Sequence, residues 1–140
     1  MNPALLIVVI VLAAIAALLH VYIFIMESVW WGRPAIWKRF GIGSQGEADT
    51  IKPMALNQGF YNLFLAIGVV VGFILLPHPV LQDAGLALIG FATASMLAAS
   101  LVLVISNPKM LRAAVTQGFF PLLALIAVVI LGVTTVTATA

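Results

Sequence analysis

Residues 4–26 read ALLIVVIVLAAIAALLHVYIFIM, a run whose single strongly polar side chain is His20. A helix rises about 1.5 Å per residue and a bilayer core is about 30 Å thick, so roughly 20 such residues cross it. The run is long enough to span and longer than the apolar core of a signal peptide. No basic residue precedes it and no cleavage pattern follows it, so a retained transmembrane helix is expected. Three further runs repeat the pattern. Residues 54–76 end at Pro77 and Pro79, which cannot continue a helix. Residues 84–106 open at Asp83 as N-cap and close at Asn107-Pro108. Residues 115–138 fade into Thr134, Thr135, Thr137 and Thr139. The predicted fold is therefore an all-α membrane protein, one domain over 1–140 built as a four-transmembrane-helix bundle.

Composition agrees with that reading. The 140 residues are 64% hydrophobic and 7% charged, against about 45–50% and 25% in soluble domains, and the mean hydropathy is +1.26. Four crossings fill the length and five would leave no loops. The chain has no cysteine, which removes disulfides, thiolate nucleophiles and thiolate metal sites. A net charge of +2 is too small to argue for nucleic acid.

The basic residues instead read as topology signals. Arg33, Lys38, Arg39 and Lys52 lie between the first and second runs, and Lys109 and Arg112 between the third and fourth. Basic residues near helix ends are retained in the cytoplasm. Loops 27–53 and 107–114 are thus expected inside a cell membrane, with both termini outside. The first loop mixes aromatics with charge from Trp30 to Gly41. Pro34 suits a first helical position and Gly41 a helix end, with Ile36, Trp37 and Phe40 on one side. A short interfacial helix over 34–40 is expected, an anchor with aromatics in the headgroup region and Lys or Arg on anionic lipid, or else an element that gates substrate, with Gly41 to Gly46 a flexible connector.

This orientation lets polar groups be compared by depth. His20 lies in the last turns of the first helix and Glu27 at its end; Asn57, Gln58, Tyr61 and Asn62 open the second, and Thr116 and Gln117 the fourth. Ser100 and Ser106 sit near the end of the third. Nearly all the strong hydrogen-bonding groups therefore occupy the cytoplasmic half. Polar groups facing lipid are costly, so these should turn into the bundle or toward the interface. His20 and Glu27, seven residues apart, share a helix face about 10 Å apart along the axis. Gln58 and Asn62 share one face, Asn57 and Tyr61 the adjacent one. One His and one Glu do not make a metal-ligand set, and none is expected. His78, between two prolines, reads as a solvated loop residue.

Two segments echo one another: Asn57-Gln58-Gly59-Phe60-Tyr61-Asn62-Leu63 and Thr116-Gln117-Gly118-Phe119-Phe120-Pro121-Leu122. Duplication and coincidence are both open from seven residues. Gly68 and Gly72, and Gly90, Ala94 and Ala98, are small residues four apart, a spacing that lets helices approach within a chain or between chains.

Taken together, Leu19-His20-Val21-Tyr22-Ile23, then Glu27 and Trp30, then Ala55-Leu56-Asn57-Gln58-Gly59-Phe60-Tyr61-Asn62 with Phe64-Leu65-Ala66, and the Gln-Gly pair of the fourth helix resemble a family of small bacterial membrane proteins catalogued as domain of unknown function 1304. The resemblance covers nearly the whole chain and implies four membrane helices and no established activity. A weaker likeness is to the membrane-associated eicosanoid and glutathione metabolism proteins, carried by Asn57, Asn62 and Phe64 to Gly68. The arginines that hold glutathione in that family are absent, Met54-Ala55-Leu56 standing in their place, so glutathione transfer is not implied.

Three function classes follow. The first is a non-catalytic bundle, an accessory subunit or a protein binding a lipid or small amphiphile through His20, Asn57, Gln58, Tyr61, Asn62 and Gln117. The second is a membrane enzyme for a lipophilic substrate, with His20, Glu27 or Tyr61 as candidate catalytic groups and the amides orienting the substrate. The third, a transporter or channel, needs polar lining through both leaflets, which the aliphatic outer half does not supply. The expected partners are the bilayer, a lipophilic small molecule, and a second copy or another membrane protein. No cofactor can be named from the sequence.

Overall fold

The computed structural model describes residues 1–139. Within them every regular element is helical: α1 (Pro3–Phe24), α2 (Pro34–Trp37), α3 (Gln45–Leu75), α4 (Gln82–Ser106) and α5 (Leu111–Thr139). Four helical segments are long and apolar enough to cross a membrane: Pro3–Val29, Gln45–Leu75, Gln82–Ser106 and Pro108–Thr135. They run up and down in turn, each packing on the next, and α5 closes the ring against α1.

Alanines dominate the interior and large apolar residues the exterior. Ala13, Ala16, Ala17, Ala66, Ala92, Ala124 and Ala127 pack with Val9, Val69, Ile89, Met96 and Leu131 along the axis. Leu18, Phe91 and Ile105 face outward at 70% exposure or more. Lipid tails are as apolar as leucine, so close backbone approach rather than hydrophobic burial selects the contact face. At Gly72 an added Cβ would lie 2.6 Å from Ile89 Cγ1 and 2.9 Å from the Gly85 carbonyl oxygen. Gly90 faces Val128 across the α4–α5 contact. The small-residue grooves at Gly68, Gly72 and Gly90 are thus used within the chain.

Several boundaries differ from the sequence expectation, each for a local reason. The first helix continues past residue 26 as a π turn over Ile25–Val29, closed by Trp30 N–H donating to the Ile25 carbonyl at 2.9 Å. The second starts at Gln45, not at 54. Ser44 Oγ accepts from Glu47 N–H at 3.2 Å while Glu47 Oε2 accepts from Gly43 N–H at 3.0 Å, a reciprocal cap. Hydropathy marks where a bilayer-spanning stretch begins, not where the helix does, and α3 carries Pro53 inside it. Asp83 does not cap α4, which begins one residue earlier behind Leu81; Gln82 Nε2 donates instead to the Leu76 carbonyl at 3.2 Å. The fourth helix begins at Leu111, behind a 3-10 turn over Pro108–Met110 capped by Asn107. Its threonines bond back to their own helix, Thr135 Oγ1 to the Leu131 carbonyl at 2.8 Å and Thr137 Oγ1 to Val133 at 3.1 Å, so α5 continues through them.

The short helix expected over 34–40 is α2 followed by a 3-10 turn at Lys38–Phe40, stopped by Gly41 at φ 80°, the left-handed conformation glycine adopts without strain. Its apolar side does not lie on lipid. Ile36 and Trp37 are buried, and Trp31 and Trp37 pack against Ala48 and Ala55 on the extended start of α3. Trp31 Nε1 donates to the Ala48 carbonyl at 2.9 Å. The nine residues by which α3 precedes the apolar run supply the wall against which these indoles fold (54 − 45).

Candidate functional site

Two close contacts tie the bundle into two hairpins at its basic end. On the α1–α3 side, Gly59 lies directly on the π turn: an added Cβ would fall on Ser28 Oγ, with Glu27 Cβ at 3.1 Å and the Phe24 carbonyl at 3.2 Å. Ser28 Oγ donates to the Leu56 carbonyl at 3.1 Å, and the Phe24 and Phe60 rings meet edge to face at 5.2 Å. On the α4–α5 side, a Cβ at Gly118 would fall on Ser100 Oγ. The two echoing segments thus hold equivalent places, each glycine seated on a serine of the preceding long helix, with Gln58 and Gln117 beside them.

Between the hairpins lies a cavity of about 990 Å³. Leu19, Ile23 and Met26 form one apolar wall, and Ala99, Val102 and Leu103 the other. A polar belt of Glu27, Gln58, Asn62, Thr116 and Gln117 crosses it. Arg39, Lys109 and Arg112 also line it, together with Tyr22, Phe40, Ser106, Met110 and Ala113. Gln117 lies five residues beyond Arg112 along α5, about 7.5 Å deeper by helical rise.

Glu27 is 8% exposed, and its Oε2 accepts from Asn62 Nδ2 at 3.0 Å; the same Nδ2 donates to the Gln58 carbonyl at 3.1 Å. Asn62 is the only hydrogen-bond partner of the carboxylate among the described residues. A buried carboxylate with one donor keeps acceptor capacity for a second. Arg39 Nη1 donates to the Tyr22 hydroxyl at 3.3 Å, a long contact between two groups that both line the cavity.

The structure gathers Glu27, Gln58, Asn62 and Gln117 and separates the other candidates from them. His20 is buried among the core helices, 1% exposed, with Nδ1 at 2.9 Å from the Ala16 carbonyl one turn back. A carbonyl only accepts, so Nδ1 carries the proton and donates. His20 does not line the cavity. Asn57 and Tyr61 are exposed and also lie outside it, Tyr61 at 54%. They are the adjacent face of the wide polar stripe, turned away because Gly59 fixes which side of α3 meets α1. His78 is exposed in the turn between α3 and α4. Among the described residues no group of three His, Asp or Glu side chains is placed to hold a metal ion.

Sequence reasoning assigned Lys109 and Arg112 to topology, and Arg39 to topology and to an interfacial anchor on anionic lipid, none of them to a cavity. Their place at a cavity was recoverable from one signal: Arg112 stands one turn ahead of Thr116 on the same face as the polar opening of α5.

No curated protein and no solved structure matches the chain, and the likeness to the eicosanoid and glutathione metabolism proteins therefore receives no support. The family described as "Protein of unknown function (DUF1304)" matches residues 14–129, which contain the five residues of the polar belt, the three cations beside them and both Gln-Gly pairs. The chain belongs to the DUF1304 family.

Proposed function

We propose that this protein is a multi-pass cell-membrane protein that binds a lipid or small amphiphile in the cavity between its two hairpins. The observation that carries the reading is the layering of that one cavity, apolar walls crossed by a belt of carboxylate and amide groups and bordered by cations. Its volume falls at the upper end of the roughly 300–1,000 Å³ of small-molecule sites. The six basic residues all lie at this end of the bundle, so the cavity opens to the cytoplasmic leaflet and both termini lie outside.

The test is native mass spectrometry of protein released from membranes in a mild neutral detergent. The wild type is expected to carry a bound amphiphile. Ala99→Trp, which fills the cavity from α4, is expected to lose it with the helical content unchanged. A wild type that carries nothing, or a mass retained in the variant, contradicts the reading.

A second reading rests on Glu27. A buried carboxylate held by one amide beside a cavity is a candidate acid or base, so the site could also turn a lipophilic substrate over. Conversion by the purified protein that Glu27→Gln abolishes, with ligand retention intact, distinguishes it from binding alone.

A further inference from the structure

The chain's six cations fall into two groups by what they touch. Arg33 stands over the Trp30 ring at 5.0 Å and Lys38 over the Trp37 ring at 5.6 Å, both outside the cavity, and Lys52 is exposed on the extension of α3. Arg39, Lys109 and Arg112 line the cavity, and among the described residues none of the three is paired with a carboxylate. Topology needs only that basic residues stay on one side. It does not require that half of them border an apolar-walled cavity whose one acidic side chain, Glu27, is held by Asn62.

We propose that the ligand of this cavity is an anionic amphiphile with a phosphate or carboxylate head, held by Arg39, Lys109 and Arg112, and a hydrogen-bond donor next to the head that meets Glu27. The inference rests on the amphiphile reading above and adds the chemistry of the head. Arg39 comes from the 3-10 turn after α2, Lys109 from the 3-10 turn before α5 and Arg112 from the first turn of α5, so an anion between them is gripped from both hairpins. Arginine favours phosphate and carboxylate because its planar fork matches two oxygens at once. Along α5, Thr116 and Gln117 follow Arg112 by about one to one and a half helical turns, and Gln58, Asn62 and Glu27 line the same cavity from the other hairpin. That is the depth of a glycerol or amide linker, and the apolar walls continue where a chain would follow. Glu27 Oε1 accepts from no described residue, so it can take a hydroxyl or N–H beneath the head.

The experiment titrates the purified full chain in neutral detergent with three probes: a single-chain lysophosphatidic acid, the lysophosphatidylcholine of the same chain, and glycerol 3-phosphate. The acidic lysolipid is expected to bind at least about tenfold tighter than the choline lipid. Arg39→Gln and Arg112→Gln should each reduce that preference about tenfold, Arg112→Lys less so, while Arg33→Gln and Lys38→Gln leave it unchanged. Ala99→Trp should abolish binding of both lysolipids, tying it to the cavity. Equal affinity for the two lysolipids overturns the anionic head and leaves the amphiphile reading standing. A preference lost equally in the Arg33 and Lys38 variants also overturns it, since general surface charge would then account for the selectivity. Glycerol 3-phosphate binding as tightly as the acidic lysolipid, and sensitive to Arg112→Gln, supports the anion site with a water-soluble source and overturns the amphiphile. Binding of no probe overturns both.

Discussion

Gly59→Ala tests whether α3 is seated on the π turn as described. The new methyl group would fall on Ser28 Oγ, so Ser28 must rotate and give up its 3.1 Å hydrogen bond to the Leu56 carbonyl, a loss of about 0.5–1.5 kcal/mol. Glu27 Cβ at 3.1 Å and the Phe24 carbonyl at 3.2 Å must then give by a few tenths of an ångström, the low end of overpacking at about 1 kcal/mol. Alanine in place of glycine inside a helix returns about 1 kcal/mol. The net expectation is a destabilisation of about 1 kcal/mol. Ser28→Ala removes the obstructing oxygen, so in that background Gly59→Ala should be close to neutral. The double-mutant cycle then gives a coupling of about 1 kcal/mol, within the range for residues in contact. Unfolding in mixed micelles, driven by sodium dodecyl sulfate and followed by tryptophan fluorescence, reads it directly, because Trp30 and Trp31 immediately follow the turn. A Gly59→Ala effect of equal size in both backgrounds, or a stabilisation in the wild type, refutes the contact.

The same assay orders further substitutions. Gly72→Ala should cost more than Gly59→Ala, about 2–3 kcal/mol, because the Gly85 carbonyl at 2.9 Å is backbone and cannot rotate aside. Asn62→Leu should cost about 1–3 kcal/mol, since it leaves the Glu27 carboxylate buried without its donor, and Glu27→Gln in the same chain should recover part of that loss. Asn57→Leu and Tyr61→Phe should leave both stability and the bound mass within error, because both side chains face away from the cavity; loss of the bound molecule in either would show that the site lies elsewhere. For topology, the absence of native cysteine allows single-cysteine labelling. His78→Cys should react with an impermeant maleimide in intact cells and Gly43→Cys only after permeabilisation, and the opposite pattern inverts the orientation.

The four crossings were legible because long apolar runs report the bilayer directly, and the one-ended polar groups because charged and amide side chains avoid lipid. The start of α3 was not, since residues 45–53 are polar enough to read as loop and become helix through the Ser44–Glu47 cap. The buried side of α2 was hidden by the same omission: without that extension, Trp31 and Trp37 have only lipid to meet. The choice between the two polar faces of α3 was open to hydropathy but not to residue size. Ala48, Ala55, Gly59, Ala66, Val69 and Gly72 are the buried positions of that helix, and their spacing carries Asn62 inward with them while leaving Asn57 and Tyr61 outside. His20 was drawn into the site because its seven-residue spacing from Glu27 puts both inside the bundle; depth separates them, His20 in the alanine-lined core and Glu27 where the hairpins part. Lys109 and Arg112 were read as topology and Arg39 as topology and interfacial anchor, and those explanations used up a signal that also belongs to the cavity.

Everything proposed for this chain turns on whether the space between the hairpins holds a ligand. The most direct measurement is an experimental structure of the full chain in lipid nanodiscs, at a resolution that shows side chains. Elongated non-protein density is expected between the hairpins, its polar end beside Arg39 and Arg112, its middle at Glu27 and Gln117, and its tail along Leu19, Ile23 and Leu103. A closed interface there, with α1 side chains packed directly on α4 and no room for a ligand, would contradict it.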